Sequence, residues 1–112
     1  MRAIQQRIEV LDRLHAYERE LMMKKSADYS GAQDCNKNIK ACEVMGITDK
    51  YTGLLIRMFD KMQRIVTLSK QDAQVVDESK KDTLHDLRNY AAIYIDLMEE
   101  DAERERAAAP VN

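Results

Sequence analysis

From Leu84 to Met98 apolar residues keep helical spacing but cover far more than one stripe. At about 100° per residue, Leu87, Ala91, Tyr94, Ile95 and Met98 cluster about Leu84, and Tyr90, Ile93 and Leu97 widen the apolar arc to about 200°. A helix this apolar needs cover on two sides, which restricts it to a helical bundle or a subunit interface. The rest of the chain agrees. Three Gly, one Pro and no Trp among 112 residues leave few turn residues and many helix formers. The prediction is an all-α fold, a small bundle of three to five helices, in one domain over residues 1–100 with a charged helical extension and tail over 101–112. A core of this size is modest, and association into a homo-oligomer would extend it.

Charge and hydropathy exclude several classes. A net charge of −2 gives the whole-protein field no bias toward polymeric nucleic acid or a membrane surface. No apolar run approaches the ~20 residues of a membrane span, and no signal peptide is recognisable in the charged first turns. The cytoplasm is therefore the expected compartment. The two cysteines, Cys35 and Cys42, match no zinc spacing and are expected to be buried free thiols on one helix face.

Four helices are predicted. The first covers about Ile4 to Lys25, with Ile4, Ile8, Leu11, Leu14 and Leu21 at helical spacing. "SADYSGAQD" should interrupt it. A short helix over about Asn36 to Met45 should stop at Gly46. The third, about Tyr51 to Ser69, is capped in this reading by Thr48 or Thr52. "KQDAQ" connects it to the last, which starts under an Asp77 or Ser79 cap and runs to about Glu105.

In the third helix Leu55, Met58, Phe59, Met62, Ile65 and Val66 form the expected core stripe. Arg57, Lys61 and Arg64 follow i, i+4, i+7 spacing as one basic stripe, with Asp60 nearby. Lys61 projects between Leu54 and Leu68, at the border of the apolar arc. In the last helix Asp86 projects between Ile93 and Leu97, inside its arc, while Asp82 lies at the edge and His85, Asn89 and Asp96 lie on the polar side. Charges at a core border must be paired or shifted in pKa. Two readings follow: a Lys61–Asp86 salt bridge, with Lys61 also able to snorkel, or a polar pocket between helices of the kind that holds ligands. His85 reads as a surface histidine, and His15 as a partly buried helix residue.

The order of "ADYSG", "GLLIRMFDKMQRIVTL" and "VVDESKKDTLHDLRNYAAI" resembles the phage and bacterial family called nucleotide modification associated domain type 1. The likeness spans about Lys24 to Met98. Its DES…DT…DL..NY run is the most specific part, followed by Arg-Met-x-Asp-Lys. That family is similar to the all-α MazG-like NTP pyrophosphatases, whose EExxE and ExxD motifs hold Mg²⁺ against a triphosphate. The resemblance implies a MazG-like fold and sets Asp82 and Asp86 near the second motif, with Asp60 as a further acid for a metal such as Mg²⁺. At the first motif this chain departs: Arg57, Asp60, Lys61 and Arg64 stand where those enzymes carry glutamates. Fixed cations repel a metal but suit phosphate oxygens.

In a nucleotide-binding reading Lys25 meets a phosphate, Tyr29 stacks on a base and Asn89 reads a base edge or orients Asp86; the other reading of Tyr29 is a loop aromatic that closes the core. Three functions stay open at this point. One is a phage-associated protein that binds, and sequesters, a modified or signalling nucleotide, as in countering host defence. The second is a Mg²⁺-dependent pyrophosphatase. The third is a helical protein-interaction module, which seven Met residues would suit.

Overall fold

A computed structural model describes residues 1–29, 34–71 and 74–110; of residues 26–29 and 74–77 only the backbone is described. The described residues form four α-helices and no strand: α1 (Ile4–Tyr29), α2 (Lys37–Val44), α3 (Lys50–Ser69) and α4 (Gln74–Ala108). The chain divides into two compact units, Met1–Gly53 and Leu54–Asn112, and the boundary falls within α3. No helix is long and apolar enough to cross a membrane, among the described residues.

In the first unit, local hydrogen bonds set the helix ends. Gln6 Oε1 accepts the Ala3 N–H at 2.7 Å, closing one orphan donor at the start of α1. Helix α1 runs past the expected break to Tyr29, because Ser and Asp disfavour a helix only weakly. Helix α2 ends as expected at Gly46, whose φ of 75° suits a residue without Cβ. The Gly46 N–H donates to Glu43 O at 3.0 Å and the Ile47 N–H to Cys42 O at 2.9 Å. These two bonds make a Schellman motif.

The α2–α3 corner follows directly. The Glu43 carboxylate accepts the Lys50 N–H at 2.9 Å, and Asp49 Oδ2 accepts the Thr52 N–H at 3.0 Å. Asp49 is thus the N-cap of α3, in place of the expected Thr48 or Thr52. An ideal Cβ on Gly53 would stand 2.7 Å from Cys42 Sγ, so only glycine lets the start of α3 lie against that thiol. Neither cysteine is fully buried: Cys35, in the turn ahead of α2, is exposed, and Cys42 is half-buried. His15 is exposed.

In the second unit α3 and α4 pair antiparallel, with Arg57 beside Tyr90 and Lys61 beside Asp86. Leu54 and Leu97 are its fully buried large apolar side chains, among the described residues. Thr83, also buried, turns its hydroxyl onto Ser79 O at 2.8 Å. The inward face of α3 therefore carries Leu54 and Lys61, with Met58, Ile65 and Leu68 half-buried beside them. The stripe expected to be core is largely outside: Leu55, Phe59, Met62 and Val66 are exposed, as are Leu84, Ile95 and Met98 of α4. Helix α4 starts at Gln74, ahead of the expected Asp77 or Ser79 cap, and extends to Ala108. On that extension Arg104 meets Glu100 and Asp101 at 3.3 and 3.6 Å, pairs one turn apart that favour the helical form.

Candidate functional site

Helix α3 repeats every 3.6 residues, so Arg57, Asp60, Lys61 and Arg64 rise along one flank. Together with Tyr90 of α4 they line an open cleft of about 400 Å³. Arg57, Lys61 and Tyr90 are half-buried, whereas Asp60 and Arg64 are exposed at its mouth. The Arg57 guanidinium lies 6.0 Å from the centre of the Tyr90 ring, within reach of a cation–π attraction. Lys61 Nζ lies 3.3 Å from Asp86 Oδ2, with side-chain exposures of 30% and 19%. The salt bridge and the pocket, set against each other in the sequence, thus coexist: the ion pair holds α3 to α4, and the cleft opens beside it.

The expected site residues divide accordingly. Arg57, Lys61, Arg64 and Asp60 come together at the cleft. Asp86 supports it from behind through Lys61. Asn89 is half-buried on α4 and Asp82 is exposed, and neither lines the cleft. Lys25 is exposed on α1, in the first unit. The side chain of Tyr29 lies outside the described residues. Asp60, Asp82 and Asp86 do not gather as a metal cradle: among the described residues, no three Asp, Glu, His or Cys side chains are placed to hold an ion. Asp86 turns to Lys61, while Asp82, one turn away, is exposed. His85, expected on the solvent side, is half-buried.

Tyr90 is the residue that the sequence reading missed. By periodicity its ring falls in the apolar arc of α4. The available signal was its position one turn beyond Asp86: if Asp86 faces Lys61 across an antiparallel pair, Tyr90 must face Arg57.

Chemically, the cleft offers three cations, one carboxylate and one aromatic face. Guanidinium groups bind phosphate oxygens with paired donors. A ring flanked by Arg57 offers a base a stacking surface. The Asp60 carboxylate accepts from a sugar hydroxyl or an exocyclic amine. Comparison with family models, with curated proteins and with solved structures gave no match.

Proposed function

We propose that the protein binds an anionic nucleotide in the α3–α4 cleft, with Arg57, Lys61 and Arg64 toward the phosphates and Tyr90 against the base. The observation that carries this reading is the convergence of three cations and an aromatic ring on one cleft of about 400 Å³, a volume suited to a small-molecule ligand. The resemblance of the DES…DT…DL..NY run to the nucleotide modification associated domain points the same way. Binding is favoured over metal-dependent cleavage because cations outnumber the single acid lining the cleft. The protein accordingly sequesters its nucleotide, a modified or signalling species, in the cytoplasm of a phage-infected bacterium, and does so as an assembly of copies.

Titration calorimetry against mono-, di-, tri- and cyclic nucleotides at low salt tests the reading. Saturable binding by the intact protein, weakened by Arg64→Ala, is expected. Absence of heat with every member of the panel overturns it.

A further inference from the structure

The exposed apolar residues of the second unit are not scattered. On α3, Leu55, Phe59, Met62 and Val66 recur at alternating spacings of four and three. This is the seam pattern of a helix packed knobs-into-holes against another. On α4, Leu84, Ala91 and Met98 stand seven apart, Leu87 and Tyr94 fall between them, and Ile95 borders the row. Leu84, Ile95 and Met98, like the four seam residues of α3, are between 41% and 58% exposed. Each helix therefore has two working faces: one meets its hairpin partner, through Lys61 and Asp86, and the other carries a heptad seam that is exposed along α3 and half-buried at Leu87, Ala91 and Tyr94 of α4.

The second face lies about 100° around each helix from the first. The two helices run antiparallel, so the same rotation brings both seams to one side of the hairpin. Half the surface of seven large apolar side chains is roughly 600 Å² per copy, close to the ~800 Å² per partner of a standard interface. It stands at the upper end of the largest apolar patches found on monomers, roughly 300–600 Å². The hairpin also needs this cover. With Leu54 and Leu97 as its fully buried large apolar side chains among the described residues and the Lys61–Asp86 ion pair across it, it has little apolar burial of its own.

We infer that a second copy of this chain covers the face, hairpin against hairpin, as a two-fold four-helix bundle. A second copy is the occupant that fits because its seam has the same length, the same spacing and the same two-helix width. An isologous contact also buries both seams at once, leaving no apolar edge to propagate further association. The nucleotide cleft plays no part in this inference.

The test is sedimentation equilibrium of the full chain across the micromolar range, with Phe59→Glu/Met62→Glu as the disrupting variant and circular dichroism to follow helicity. A dimer, or another even number of copies, is expected. The double variant should raise the dissociation constant roughly a hundredfold or more while keeping its helices. Should two charges unfold the hairpin, the milder Met62→Gln/Val66→Gln is expected to shift the dimer transition to higher concentration. A monomeric mass for the natural chain overturns the inference, whether the first unit or another protein then covers the seam. So does a helical seam variant that dimerises as tightly as the natural chain.

Discussion

Lys61 Nζ stands 3.3 Å from Asp86 Oδ2, and the two side chains are only 30% and 19% exposed. Each helix of the second unit thus holds a half-buried charge in its most apolar stretch, and each charge answers the other. Removing one partner leaves the other desolvated without compensation, which costs more than the pair itself contributes. Asp86→Ala is therefore expected to lower unfolding free energy by about 1–3 kcal/mol. Lys61→Met/Asp86→Leu should recover most of that loss. Chemical denaturation of the three proteins makes the comparison. The same logic gives a second readout. Asp86→Asn releases the positive charge of Lys61 toward the cleft, so phosphate-bearing ligands should bind more tightly even as the fold weakens.

Arg64 is exposed at the mouth of the cleft. Arg64→Ala should leave the melting temperature nearly unchanged and weaken nucleotide binding about tenfold, the worth of one charge-assisted phosphate contact. Tyr90→Ala should weaken it by about 1–3 kcal/mol through lost stacking, and Tyr90→Phe should retain most affinity. Calorimetry in low and high salt separates the two effects, because screening weakens the Arg64 contribution more than the stacking one.

Gly53 offers a prediction of reversed sign. Within an exposed helix, Gly→Ala is stabilising by about 1 kcal/mol. Here the added Cβ would meet Cys42 Sγ at 2.7 Å, so overpacking wins and Gly53→Ala should destabilise by about 1–3 kcal/mol. Cys42→Ala in the same chain removes the obstructing sulfur and should restore the stabilising sign.

Asp49 is fully exposed, yet the hydroxyl and backbone N–H of Thr52 donate to its carboxylate and hold its pKa below the usual carboxylate range. A carboxyl whose pKa is depressed by folding stabilises above its unfolded pKa. That contribution is lost as pH falls through the folded pKa. The α2–α3 corner should therefore weaken in acid, below the usual carboxylate range. Asp49→Asn, which keeps an acceptor for the Thr52 N–H, should be less pH-dependent there. Amide exchange of Lys50 to Gly53 as a function of pH checks this.

The all-helical class was legible because Gly and Pro are scarce and apolar spacing is helical over long runs. Helix stops were legible where a backbone demand forces one residue type, as at Gly46. Starts were less so. Asp49, Thr48 and Thr52 all carry oxygens suited to a cap, and only the path of the corner selects Asp49. The apolar arcs were found, but not which face of each arc the hairpin uses. Hydrophobicity alone nominated Leu55, Phe59, Met62 and Val66, which are exposed, along with Met58 and Ile65, which are half-buried like Lys61 and Leu68 on the flanks of the buried Leu54. Periodicity cannot separate two adjacent apolar faces; the pairing of Lys61 with Asp86 does. For the same reason Tyr90 read as apolar filler until the antiparallel register set it opposite Arg57.

The most direct test of the cleft is a nitrogen–proton correlation spectrum of the labelled full chain, titrated with a panel of nucleoside mono-, di- and triphosphates and cyclic nucleotides. Saturable shifts centred on the backbone amides of Arg57, Asp60, Lys61, Arg64 and Tyr90, with at least one nucleotide, are the predicted result. A spectrum unmoved by every nucleotide, or one whose shifts map away from α3 and α4, would contradict the account.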